Sequence, residues 1–286
     1  MAVSDGIATQ ALEGFADGAS YDKYRPTYPD EAVDRLLGSL GLIGFDGAIV
    51  VDLAAGTGKF TEALARRKES FDVIAVEPHN AMRGELERKQ LARAVVKEGI
   101  ANSIPLEDAS ADALVVAQAF HWFANMGALR EVYRVLKPGA GFGMIWNIED
   151  YNQTRDAGMS TEWEGKLRDL VWTRGNDTPR FRHNKWRAVF DEQLSNPLRL
   201  TAGAEPLFSL PIGEDKVPWT VWLTKENLWS RYMTLGPHSV LTGKELEDTR
   251  RVFDSALQGA DVEVNDEGLV AVHGVTYIAW TSRLPN

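Results

Sequence analysis

The stretch Val50-Val51-Asp52-Leu53-Ala54-Ala55-Gly56-Thr57-Gly58-Lys59-Phe60 constrains the fold more than any other part of the chain. A β-rich run, Gly47 to Leu53, ends in a turn of small residues. A helical pattern opens at once, from Thr57 to Arg67, with Phe60 and Leu64 on one face. The alternation then repeats. Phe71 to Glu77 reads as a second strand ended by Pro78, and Asn80 can cap a helix running to about Gln90. Arg93 to Lys97 is a weaker third strand. Ala113 to Ala117 is an entirely apolar fourth, a pattern expected of a strand covered on both faces. A helix from about Ala124 to Leu136 presents Leu129, Val132, Val135 and Leu136 together and stops at Lys137-Pro138-Gly139. Phe142 to Trp146 is a fifth strand. Strands alternating with helices predict βαβ units on a parallel sheet, hence an α/β fold.

The second half reads differently. From about Tyr151 to Asn196 the pattern is helical and rich in Trp and Arg. A proline-marked stretch follows (Pro206, Pro211, Pro218), then helices near Thr224–Leu235 and Gly243–Gln258. The tail Gly268 to Trp280 reads as one long strand. No helical crossover follows it, so it is expected to pair antiparallel at the far side of the sheet. Four segments result: 1–29 as a leading arm, 30–150 as the α/β core, 151–260 as a mainly helical cap, and 261–286 as a terminal strand completing the sheet.

Composition excludes several classes. The 286 residues carry 31 Lys+Arg against 41 Asp+Glu, a net charge of −10, which opposes general nucleic-acid binding while leaving room for a local basic pocket. With no cysteine there is no disulfide, thiolate metal site or thiol nucleophile. The first residues lack a basic start before an apolar run, and no uncharged apolar run approaches the roughly 20 residues that span a bilayer. A soluble cytoplasmic protein, with neither nucleic acid nor membrane as partner, is the expectation.

The turn after the first strand narrows the ligand. A phosphate-gripping loop ends Gly-Lys-Ser/Thr, whereas Gly58-Lys59 is followed by Phe60. A dinucleotide turn needs Gly or Ala where Thr61 stands. Asp52 is poor company for a pyrophosphate and suits a cationic ligand. Glu77, at the end of the second strand, can accept both hydroxyls of a ribose. Taken singly, each feature also has an ordinary reading: a tight turn, or a strand-end carboxylate. Together they point to an adenosine-type ligand bearing positive charge.

Further motifs fall in a recognisable order: Tyr24-Arg25-Pro26-Thr27-Tyr28-Pro29, Val51 to Gly58, Val76-Glu77-Pro78, Gly99 to Leu106, Gln118-Ala119-Phe120-His121-Trp122-Phe123 and Val132 to Ala140. In these the sequence resembles class I S-adenosylmethionine-dependent methyltransferases. It is most similar to the small-molecule branch around the ubiquinone/menaquinone-biosynthesis and trans-aconitate methyltransferases and their fungal relatives. The resemblance covers about residues 20–150; the cap is only loosely matched. It implies a Rossmann-like, seven-stranded, mostly parallel sheet with an antiparallel last strand, plus a helical substrate cap.

The resemblance also implies roles. Asp52 with Ala54, Gly56, Thr57 and Gly58 would hold the methionine part of S-adenosylmethionine, and Glu77 and Pro78 its ribose. Met82 would pack on the adenine, with Ala101 and Asn102 at its edge. Gln118 and Ala119 would lie beside the sulfonium. Tyr21 and Arg25 belong to a segment that the family lays across the cofactor as a lid; the alternative is a solvated arm. Two departures stand out: Ala54 replaces the usual opening glycine, and Asn102 stands where an acid is common.

For the acceptor, a small molecule methylated on oxygen (carboxylate or hydroxyl) is the expectation. His121 reads either as a general base or as a structural residue packed beside Trp122 and Phe123. The other histidines (His79, His183, His238, His273) have no metal-ligand spacing, and no metal is expected. Eight of nine tryptophans lie at or after Trp146, most simply as cap core. The basic run Pro179 to Arg187 is either a solvated face or a carboxylate-binding patch. Two rival functions remain open at this level: a related protein that binds the cofactor without methyl transfer, as a binding module or rearrangement catalyst, and an RNA methyltransferase.

Overall fold

The computed structural model describes residues 26–174, 178–193, 206–236 and 238–285. Seven strands form one sheet in the order β3-β2-β1-β4-β5-β7-β6. They are β1 (Ile49–Leu53), β2 (Asp72–Val76), β3 (Ala94–Lys97), β4 (Ala111–Ala117), β5 (Leu136–Glu149), β6 (Gly213–Leu223) and β7 (Val270–Ser282). The first five pair in parallel, whereas β7 runs antiparallel to both β5 and β6. The expected seven-stranded, mostly parallel sheet with an antiparallel last strand is therefore present. β7 lies between β5 and β6 and pairs antiparallel with both.

Helices α1 (Asp30–Ser39), α2 (Lys59–Ala65), α3 (Asn80–Arg88) and α4 (Met126–Val135) flank the sheet. Helices α5 (Glu162–Thr173), α6 (Ala188–Asp191), α7 (Lys225–Met233) and α8 (Gly243–Ala256) occupy the second half. On one face Leu129, Val132 and Val135 of α4 pack on Val51, Leu114, Val116, Phe142 and Met144. On the other, Ala32, Val33, Leu36 and Leu37 of α1 cover Val50, Val115, Ile145 and Ile278. Both faces of β4 are thus buried, the reason its sequence is uninterrupted by polar residues. The cap on α3 is His79 rather than Asn80: the His79 ring accepts from the Met82 N–H.

The mainly helical second half also contains a strand. β6 lies inside residues 151–260, within and just after the proline-marked stretch, and forms the sheet edge. Pro218 fits there because an edge strand leaves one side without ladder donors to satisfy. The alternation Val217, Trp219, Val221 was masked in the sequence by the prolines around it. Helices α5, α7 and α8 share a core with Val270 and Val272 of β7, so the cap grows from the sheet's far edge. The tryptophans divide accordingly. Trp163 belongs to the cap core, whereas Trp146 and Trp186 sit in the main core with Phe120, Phe190 and Tyr277.

Candidate active site

The carboxyl ends of β1, β2 and β4 lie side by side, as parallel pairing requires, and open-sheet ligands bind at such ends. Asp52, the fourth residue of β1, is fully buried. Its Oδ2 accepts from the Thr61 hydroxyl at 2.6 Å, while Oδ1 has no hydrogen-bond partner among the described residues. Burial, with a smaller contribution from Glu77, pushes its carboxyl up to about 7 against the pull of the Thr61 hydrogen bond. An orphaned carboxylate oxygen away from water is unfavourable alone and is relieved by a cation or a donor.

The turn leaving β1 has left-handed backbone at Ala54 (φ 58°), Gly56 (φ 58°) and Gly58 (φ 85°). Alanine at the first of these adopts a conformation natural to glycine, the physical content of that departure from the family pattern. Gly58 is constrained twice, since a Cβ there would stand 2.2 Å from Leu86 Cδ1 of α3. Thr57 is buried.

Glu77 joins the turn to the end of β2. Its Oε2 accepts from the Gly56 N–H and its Oε1 from the His79 N–H, each at 2.8 Å. Each oxygen keeps a second lone-pair direction. Burial raises its carboxyl above the usual range, opposed by these two N–H donors and by Arg83. Met82 is buried with its sulfur 3.8 Å from where a Gly56 Cβ would be. Pro78 and Ala101 are half-buried. Asn102 is exposed, its Oδ1 near Gly127 at the start of α4.

At the end of β4, Gln118 is also left-handed (φ 62°), with Ala119 half-buried beside it. Ala54 and Gln118 are non-glycine residues in a disfavoured region just past the carboxyl ends of the adjacent strands β1 and β4, a kind of strain that clusters at binding sites. The Gln118 amide donates to the Asn147 carbonyl at 2.9 Å. Asn147 in turn donates to the Thr27 carbonyl at 3.0 Å and accepts from the Thr276 hydroxyl at 2.6 Å. Nothing in the sequence marked Asn147; its role exists only because β5 lies next to β4. The same adjacency defines His121, whose Nδ1 accepts from Trp146 Nε1 at 3.2 Å. Tyr21 and Arg25 lie outside the described residues.

Residues 51–143 match the methyltransferase-domain family. An uncharacterized methyltransferase-like protein of Schizosaccharomyces pombe is 37% identical over 186 residues, which are 65% of this chain and 68% of that protein. The chain belongs to the class I S-adenosylmethionine-dependent methyltransferases. An uncharacterized methyltransferase of Mycobacterium bovis is 45% identical over 137 residues, 48% of this chain and 52% of that protein, so the alignment spans about half of that relative. The fold of this methyltransferase is shared with the YcgJ protein of Bacillus subtilis, with a TM-score of 0.55 and 15% identity over 90% of this chain and all of that one. S-adenosylmethionine is accordingly its cofactor. The donor set suits that cofactor: an orphaned buried carboxylate oxygen for a cation, and Glu77 oxygens with lone pairs to spare for hydroxyls.

Among the described residues no helix is long and apolar enough to cross a membrane, and no group of three or more His, Asp or Glu could hold a metal.

Proposed function

We propose that this methyltransferase acts on a small molecule and that the accepting atom is a carboxylate oxygen. In this reading Asp52 and the Ala54–Gly58 turn hold the methionine part of the cofactor, and Glu77 takes the ribose hydroxyls. Met82, Ala101 and Asn102 border the adenine, and Gln118 and Ala119 line the approach to sulfur. The bound cofactor supplies a methyl group already activated by positive sulfur. The protein's task is then alignment of donor and acceptor, which can supply most of the acceleration.

The observation that carries the choice of carboxylate is the hydrogen bond from Trp146 Nε1 to His121 Nδ1 at 3.2 Å. A neutral imidazole that accepts on Nδ1 carries its own proton on Nε2. With Nδ1 engaged by Trp146 and the proton on Nε2, neither ring nitrogen is set to act as a base. A hydroxyl acceptor must lose a proton during attack, whereas a carboxylate, with a pKa of about 4, has lost it already at neutral pH.

The test is the chemistry of the product. Protein incubated with methyl-labelled cofactor and an extract of small metabolites should yield label that mild alkali releases as volatile methanol, the behaviour of a methyl ester. Label retained through alkali would overturn the carboxylate assignment.

A further inference from the structure

The basic run Pro179 to Arg187 does not behave as one solvated face. Lys185 is exposed, and Arg187 forms an ion pair with Glu214 and a hydrogen bond to the Tyr277 hydroxyl. Arg180 and Arg182 turn inward instead. Arg180 lies over the Trp122 ring at 4.3 Å, in space left by Gly236, where a Cβ would come within 2.3 Å of Arg180 Nη2. Phe181 packs on Trp146, ring centroids 5.0 Å apart. Arg182 donates to Asn152 Oδ1 at 3.0 Å, just beyond the carboxyl end of β5. Three successive residues thus touch Trp122, Trp146 and the end of β5, and the first two of those groups adjoin His121.

Arg182 is 5% exposed, and among the described residues its Nε has no hydrogen-bond partner. Among those residues it donates to the neutral Asn152 amide, and no carboxylate lies within ion-pair distance. A buried guanidinium without a counterion is costly, and proteins retain buried charges paired or liganded. The surroundings add positive charge. Burial, reinforced by the fields of Arg174 and Arg182, pushes His238 down to about 4 and keeps it neutral. Arg174 reaches Glu245 at 3.7 Å, a residue on the exposed surface.

We infer that Arg182 is the anion-binding group of the acceptor site, taking an oxyanion of the acceptor (carboxylate or phosphate) remote from the atom that is methylated. The inference rests on the small-molecule reading above and extends it: the acceptor carries a second negative group. An arginine is apt for this, since its planar fork pairs with two oxygens at once.

The probes are succinate and inorganic phosphate, added to protein saturated with S-adenosylhomocysteine at constant ionic strength against chloride. Thermal unfolding and tryptophan fluorescence are followed, the latter because Trp172 lies 5.6 Å from the Arg182 guanidinium. At least one probe should raise Tm saturably, succinate indicating a carboxylate and phosphate a phosphate. Arg182→Gln should weaken that response at least about 10-fold, the loss expected for a charge-assisted pair. With no anion added, the same substitution should raise Tm, because it removes an uncompensated buried charge. Arg182→Lys keeps the charge and should retain a weakened response. S-adenosylhomocysteine affinity should be unchanged in both variants, which separates this site from the cofactor crevice. Alkali-stable label would sink the carboxylate product while leaving the Arg182 response standing. No saturable response beyond chloride, or equal responses in wild type and Arg182→Gln, would overturn the inference.

Discussion

The Thr61 hydroxyl donates a 2.6 Å hydrogen bond to Asp52 Oδ2 and leaves Oδ1 of the same buried carboxylate without a partner among the described residues. The strand residue and the helix residue that faces it thereby present a half-satisfied acid at the carboxyl end of β1.

The first consequence is a pH dependence with a definite sign. The folded-state pKa of Asp52, about 7, lies above its unfolded value of about 4. The contribution is therefore full below the unfolded pKa and is lost as pH rises from about 4 to about 7, on the order of 4 kcal/mol across that window. Cofactor-free wild type should lose this stability relative to Asp52→Asn over the range, read by urea unfolding of both proteins at successive pH values; the comparison removes the opposite contribution of buried His238, whose pKa of about 4 adds stability as pH rises through the same window. A cation near Oδ1 favours ionisation, so S-adenosylmethionine should bind more tightly as pH rises through 7 and release a proton near neutrality. Calorimetry in two buffers of different ionisation enthalpy measures that proton; identical heats in both would refute the linkage.

Asp52→Ala and Glu77→Ala should each weaken S-adenosylhomocysteine binding by roughly 10- to 100-fold, the range for losing hydrogen bonds to a charged group. Glu77→Gln should lie between wild type and Glu77→Ala, since one amide oxygen can still accept from the Gly56 or His79 N–H. Titration calorimetry decides it, and unchanged affinity in both alanine variants would remove these residues from the site.

The turn offers a paired test of backbone strain. Gly58→Ala places a Cβ 2.2 Å from Leu86 Cδ1 at a φ of 85° and should cost roughly 3 kcal/mol. Adding Leu86→Ala should recover only the steric part. Ala54→Gly relieves a φ of 58° and should leave stability unchanged or raise it by up to about 1 kcal/mol. Chemical denaturation of the variants measures all three, and equal losses at 54 and 58 would contradict the geometry.

His121 should exist at neutral pH as the tautomer with its proton on Nε2, because Nδ1 is engaged by Trp146. Nitrogen-15 NMR of the imidazoles distinguishes the two tautomers directly. Trp146→Phe removes the donor and should populate the other form; a wild-type ring already protonated on Nδ1 would withdraw the argument for a carboxylate acceptor.

Much of the α/β core was legible because its signals are local. The Val50–Phe60 stretch contains its own strand, turn and helix start, and Asp52, Glu77 and the small residues between strand and helix announce a crevice by spacing alone. Even Ala54 was visible as a departure, although only the backbone shows that it is left-handed. Strand β6 was not legible: Pro206, Pro211 and Pro218 signal loop locally, and the strand is stabilised by a ladder to β7, some fifty residues away in the chain.

The sequence by itself determined the alternating architecture and the two acids that flank the turn, which point to an adenosine-type ligand bearing positive charge, since each follows from short-range pattern and side-chain chemistry; the cofactor itself came from the resemblance of several ordered motifs. Tertiary structure alone decided that Trp146 donates to His121 Nδ1, that Asn147 ties Gln118 to Thr27, and that Arg182 is buried while Lys185 and Arg187 are not. Those facts depend on which strands become neighbours and which side chains lose water, and neither is encoded in the spacing of residues along the chain.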